Sequence, residues 1–170
     1  LQQIFAECSD FITREITLGE EKQAAFLVAY IDGFVNQDLL DRDVMERLQA
    51  LEAGPSLPTA ELLKQVVSGS VIKIENNFRN TVDSILNGDV IIFVEGETDA
   101  FNVSLRNPPG RSVTEPDTEV TVRGPREGFV ENLRVNTTLL RRKVKSPAFK
   151  IETMAIGEET KTKVAICYIK

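Results

Sequence analysis

Eight consecutive apolar residues, Ala24 to Ile31, form the longest unbroken apolar run in the chain and set the strongest limit on its fold. A run apolar at every position has no polar face to turn toward water, so it suits a strand covered on both sides at the centre of a sheet. It is far shorter than the about 20 residues a membrane-crossing helix needs. The preceding segment, Phe11 to Leu18, places Ile12, Ile16 and Leu18 on one side of a second strand, with Gly19 and Glu20 marking the turn between the two.

Around this pair the pattern alternates between periods of two and of 3.6. Ile4, Phe5 and Cys8 stand at helical spacing. Asn36 is a plausible N-cap for a helix whose stripe is Leu40, Val44, Leu48 and Leu51, closed by Gly54 and Pro55. A shorter helix is expected from Thr59, burying Leu62, Leu63, Val66 and Val67. The Gly/Ser group at Ser68 to Ser70 is the candidate boundary, giving a β-β-α-α subdomain over 1–68 and a second subdomain over 69–170. In the second, Val71 to Glu75 is a short strand, and Phe78, Val82, Ile85 and Leu86 predict a helix that stops at Asn87 and Gly88. Asp89 to Val94 reads as a continuous strand and Phe101 to Leu105 as a half-exposed return strand. Beyond a Pro/Gly-rich loop at Asn107 to Arg111, a helix is expected from Phe129, with Val130, Leu133, Thr137, Leu140 and Val144 on its stripe and Pro147 beyond its end. Phe149 to Ile156 and Lys163 to Ile169 are strands joined by a turn at Gly157 to Lys161. The fold class is α/β of the α+β kind: two small subdomains with mixed or antiparallel sheets covered by helices. Leu1 in first place and the strand-like last residues suggest an excised fragment.

The chain has 170 residues, with 42% hydrophobic and 27% charged residues, a balance that fits a folded domain and excludes a disordered or fibrous chain. It contains no histidine, which removes the commonest general base, the Ser/His/Asp and Cys/His nucleophile systems and every imidazole zinc site. Cys8 and Cys167 are the two cysteines, far apart and outside any CxxC spacing, so neither a thiolate metal cage nor a disulfide framework is expected, and a reducing compartment is the simpler reading. Neither a catalytic set, nor a metal site, nor a cofactor follows from these residues.

Charge is unevenly placed. The net charge of −6 hides a segment, 123–150, that carries +6 on its own. Anion or nucleic-acid binding, docking to an acidic or membrane partner, and internal pairing are the three competing accounts of this basic segment. Arg134, Arg141 and Lys145 share one helical face, with Glu127 and Glu131 nearer the N-terminus, an order that suits the helix dipole. The stretch 123–128, RGPREG, puts two glycines and a proline directly before the helix, with Arg123 and Arg126 able to supply charge to an anion at its free amides. A plain turn, with Glu127 or Glu131 capping the helix and the arginines paired to Glu115, Asp117 or Glu119, is the bland alternative. Glu95, Glu97 and Asp99 lack the glycine and distal glutamate of a calcium loop and read as a solvated hairpin tip. Asp32-Gly33 reads as a turn. Aromatic residues are not interleaved with the arginines, so no nucleic-acid partner is expected.

Three stretches in order, GDVIIFVEG from Gly88, EPDTEVTVRGPREGFVENLRVNTTLLRRKVKSP from Glu115 and TKTKVAICYIK from Thr160, resemble the A subunit of GerA-type spore germinant receptors. The resemblance covers roughly residues 85–170, and 1–70 match only in layout. It implies a non-enzymatic role in nutrient-triggered spore germination: sensing or transmitting the nutrient signal, with B and C subunits as partners. It further implies a spore inner membrane location through a C-terminal domain outside this chain, with this region on the cytoplasmic, spore-core side. A small nutrient, an amino acid or sugar, is the implied ligand, and a cleft between the subdomains is one place for it. The family's motif falls on Glu115, Pro116, Glu119, Arg123, Gly124, Pro125, Arg126, Glu127, Gly128, Phe129, Glu131, Asn132, Leu133, Asn136, Arg141, Arg142, Lys143, Lys145, Ser146 and Pro147. Of these, Arg123, Arg126, Glu127, Asn132, Asn136, Arg141, Arg142, Lys143 and Lys145 are the candidate ligand- or partner-binding residues. The alternative is an anion- or nucleotide-binding domain centred on the RGPREG loop. Arg141→Glu with Arg142→Glu is expected to leave the fold intact and abolish receptor assembly or the germination response.

Overall fold

The computed structural model describes residues 1–18, 24–51, 67, 72–106 and 128–170. Strands β1 (Phe11–Leu18) and β2 (Ala24–Ile31) pair antiparallel along their whole length, Phe11 opposite Ile31 and Leu18 opposite Ala24. Strand β3 (Ile72–Glu75), β4 (Val90–Val94) and β5 (Ala100–Val103) complete a five-stranded sheet in the order β1-β2-β4-β5-β3, every pair antiparallel. The uniformly apolar β2 stands inside this sheet, where a strand with no polar face belongs.

Both faces are covered. Phe26, Val28 and Tyr30 of β2 and Val90, Ile92 and Val94 of β4 pack on one side against α1, a continuous helix of three parts: Gln37–Leu40, a π-type stretch Asp41–Met45, and Glu46–Gln49. Asn36 caps it as expected, accepting the Leu39 amide at 3.2 Å, and Leu40, Val44 and Leu48 are fully buried. On the other face Ala29, Ile31 and Ile91 meet Val82, Ile85 and Leu86 of α2 (Phe78–Leu86) together with Phe5, Cys8 and Phe34. Burying this much apolar surface, at roughly 25 cal/mol per Å², is what holds the layers together.

Beyond the sheet the chain forms α3 (Leu133–Lys143) and an antiparallel hairpin of β6 (Phe149–Ile156) and β7 (Thr162–Ile169). The hairpin is a separate two-stranded sheet. Only its base is buried, at Phe149, Lys150 and Ile151, and its outer half leaves Met154, Ile156 and Ile166 exposed.

Several expectations need correction. The boundary near residue 69 does not separate the two sheets, since β2 from the first segment pairs with β4 from the second, and the break between sheets falls after β5. Residues 2–7 form turns rather than a helix, drawn tight by the Phe5 amide donating to the Leu1 carbonyl at 2.9 Å and by Glu7 at φ 63. The return strand is not half-exposed: Asn102 is buried, because its amide donates to Ser84, Glu75 and Asp89 and so meets its polar needs inside the fold. Phe78 and Phe129 are 53% and 63% exposed; neither joins a buried stripe. The last helix starts at Leu133, not Phe129, because Asn132 takes the capping position. The expected helix from Thr59, the stop at Gly54 and Pro55, and the turn at Gly19 and Glu20 lie outside the described residues.

Candidate functional site

The basic helix α3 is positioned by its own sequence at both ends. The Asn132 side chain accepts the Arg134 and Val135 amides at 3.0 and 3.4 Å, while the Asn136 side chain both donates to the Val130 carbonyl at 2.6 Å and accepts its amide at 2.8 Å. These two asparagines fix the entry of the chain into the helix. Arg141, Arg142 and Lys143 crowd the last turn, where positive charge meets the negative end of the dipole.

Two arginines one heptad apart, Arg134 and Arg141, then grip the sheet. Asp10 stands just before β1 and Asp32 just after β2, side by side, the Asp32 amide donating to the Asp10 carbonyl at 2.8 Å. Arg134 holds the Asp32 carboxylate with two bonds of 2.8 and 2.6 Å, and Arg141 holds Asp10 with two of 2.7 and 3.0 Å. Between these grips the helix passes so close to the β2–α1 turn that a Cβ on Gly33, at φ 81, would meet the Thr138 hydroxyl.

Arg141 is the centre of the arrangement. Its side chain is 0% exposed. Besides Asp10 it donates to the carbonyls of Ser146 at 3.1 Å and Phe149 at 2.7 Å, and its guanidinium lies 4.9 Å from the centre of the Phe149 ring. Burial alone would lower its pKa, but hydrogen bonds and charge from Asp10 outweigh that and hold it above its ordinary value. One side chain thus joins the start of β1, the end of α3 and the start of β6. Asp32 likewise raises the Arg134 pKa, chiefly through its hydrogen bonds.

Further polar contacts tie the hairpin base to residues 4–9. Lys150 donates to the Ile4 carbonyl at 2.8 Å, Lys170 to the Glu7 carboxylate at 2.7 Å, and Cys8 bridges in parallel to Ile151. Since Ile151 is also the β6 partner of Cys167, the two cysteines are two strand spacings apart, about 9.6 Å, and both stay free. Burial, with a smaller push from Asp10, raises the Cys167 thiol pKa. On the hairpin itself Tyr168 donates to Glu152 at 2.5 Å, which pushes the phenol up to about 12.

A groove of about 710 Å³ opens between the sheet end, α3 and the hairpin, lined by Ser9, Asp10, Asp32, the stretch Glu131 to Arg134, Thr137, Ile151, Thr153, Met154, Ala155 and Lys163.

The expected site residues therefore divide. Asn132, Asn136 and Arg141 hold the fold together, Arg142 lies 5.7 Å over the Phe34 ring, and Lys145 donates to the Asn87 side chain at 2.9 Å. Lys143 and Lys145 are exposed. Arg123, Arg126 and Glu127 lie outside the described residues. The expectation that Arg141→Glu leaves the fold intact is overturned by its burial and pairing: for Arg134 and Arg141, internal pairing is the account that holds. Asp10, Asp32 and Arg134 are the residues missed. Their signal was present, two aspartates flanking paired strands and two arginines on one helix face, but the distance of over 100 residues between them hid the match.

Fold and site together define an α+β module in which a charged helix clamps a protruding hairpin onto a buried antiparallel sheet. The family described as Bacillus/Clostridium GerA spore germination protein matches residues 1–170, and the chain belongs to it. Spore germination protein KA of Bacillus subtilis (strain 168) is 31% identical over 95% of this chain and 30% of its own length. Stage V sporulation protein AF of the same strain is 48% identical over 53% of this chain and 18% of its own length. The chain thus spans about a third or less of these relatives. The N-terminal domain of the A subunit of the Bacillus megaterium spore germinant receptor GerK3 shares the fold, with a TM-score of 0.71, 24% identity, and coverage of 99% of this chain and 61% of that one.

Proposed function

We propose that this chain is the N-terminal domain of a germinant receptor A subunit and that it transmits the nutrient signal that triggers germination, without catalysing a reaction. Family membership and the shared fold support the receptor assignment. In this reading the domain faces the spore core from the inner membrane, and B and C subunits dock on it. The observation that carries the relay is the joint at Arg141. A two-stranded hairpin is marginal alone, so the position of β6 and β7 depends on a few polar grips between α3, residues 4–10 and the sheet. Such a joint has discrete engaged and released arrangements, which a docked subunit can bias.

Lys143 and Lys145 lie on the exposed end of α3 and carry the docking role expected of the basic segment. Lys143→Glu with Lys145→Glu in the full receptor is expected to leave the melting midpoint of this domain unchanged and to abolish the nutrient response of spores holding wild-type receptor levels. A normal response overturns the relay. Thermal melting with amino acids, sugars, phosphate and nucleotides separates the alternatives: stabilisation by a nutrient makes the domain a sensor, and stabilisation by nucleotide alone favours the anion site at residues 123–128.

A further inference from the structure

One wall of the groove beside α3 is an unfinished sheet edge. Residues 7–9 run parallel to β6, the Ser9 amide donating to the Ile151 carbonyl at 2.7 Å and the Ile151 amide to the Glu7 carbonyl at 3.2 Å. Ile151 therefore turns both of its main-chain groups toward the groove side. By the two-residue repeat of a strand, Thr153 and Ala155 do the same. The Ser9 hydroxyl takes the Thr153 amide at 3.0 Å, and at Asp10 the chain turns away into β1. Among the described residues nothing pairs with the Thr153 carbonyl or with the amide and carbonyl of Ala155.

Unpaired strand groups at regular spacing are a template for another strand, and only an extended backbone matches their repeat. The line of residues 7–9 sets its direction as parallel to β6. The opposite wall, the first turns of α3, offers Leu133, and Met154 adds a second apolar surface on the hairpin side. Glu131 stands on that wall with no ion pair among the described residues, whereas Asp10 and Asp32 are each held by an arginine. The groove's volume of about 710 Å³ lies in the range of ligand clefts, about 300–1,000 Å³.

We propose that this groove accepts an extended segment of another polypeptide as a parallel strand on β6 beyond Ile151. An apolar side chain of that segment seats against Leu133 and Met154, and a lysine or arginine points to Glu131. The proposal concerns the groove alone and does not rest on the receptor assignment.

The test is a random heptapeptide library displayed on phage and selected on the 170-residue chain, followed by amide exchange measurements with the best synthetic peptide. The expected result is an enriched apolar-plus-basic peptide that slows exchange of the Ala155 amide by about tenfold or more. Ala155→Pro removes that donor and is expected to weaken binding by about tenfold while leaving the melting midpoint in place. Should that variant fail to fold, the same loss is expected with wild-type protein and a peptide N-methylated at alternate residues. Glu131→Lys is expected to reverse the preference for a basic side chain. Absence of any enriched peptide, binding that leaves Ala155 exchange unchanged, or free amino acids or sugars shifting the same amides at lower concentration would overturn the proposal.

Discussion

The five-stranded sheet and the β6–β7 hairpin are built on opposite principles. In the sheet, Phe26, Val28, Ala29, Ile91 and Ile92 are buried between α1 on one side and α2 with the first residues on the other, and polar groups enter only where they are fully bonded, as at Asn102. In the hairpin most side chains beyond Ile151 meet solvent, and attachment comes from Arg141, Lys150 and Lys170 reaching Asp10, Ile4 and Glu7. The first arrangement is cooperative and hard to open locally. The second concentrates its hold in a few directional bonds, and that makes it a place where one event changes the geometry.

The most forceful way to break this contrast is Arg141→Glu. It leaves Asp10 facing a like charge in a buried site and is expected to cost about 3–5 kcal/mol in urea denaturation. Amide exchange at Ile151 and Cys167 is expected to accelerate far more than at Val28 or Ile92; equal acceleration in both regions would show that hairpin and sheet are one cooperative unit. Replacing both partners, Arg141→Met with Asp10→Leu, is expected to recover much of the loss.

A smaller effect is expected from Gly33→Ala, where the left-handed backbone and the contact with Thr138 together cost about 1–3 kcal/mol. Because the clash pushes α3 away from the sheet, hairpin amides near Phe149 are expected to respond more than those of β4.

The smallest effects separate the two regions by pH. Burial opposes ionisation of Asp89, yet bonds from Arg106 and its neighbours hold its pKa below the ordinary 3.8. Its contribution to the sheet is therefore present above 3.8 and lost as pH falls through the lowered value. Tyr168 is the reverse: with its pKa raised from 10 to about 12, its contribution to the hairpin is full below 10 and lost as pH rises through about 12. Acid is thus expected to loosen β4 and β5 first, and alkali β6 and β7, as read by amide protection on the acid side and by tyrosinate absorbance with a Tyr168→Phe control on the alkaline side.

Much of the fold was legible because apolar periodicity reports burial directly. The sheet strands, the Asn36 cap, the stripe of Leu40, Val44 and Leu48, the stop at Gly88 and the final hairpin all follow from local pattern. The candidate site was legible only in outline. Arg141 stands in a run of four basic residues, Arg141 to Lys143 and Lys145, whose local chemistry is nearly the same, yet it alone is buried. What distinguishes it is the direction its side chain takes on the helix relative to Asp10, a residue 131 positions earlier.

The amino-acid sequence by itself determined the alternation of strands and helices, the family, and the concentration of positive charge on one helix, because these depend on neighbours a few residues apart. Tertiary structure alone decided that β2 joins β4 across the expected boundary, that Asn102 goes inside, and that two arginines become struts rather than a free basic face. Charges act through space and in proportion to how far water is excluded around them, and neither separation nor burial is encoded locally along the chain.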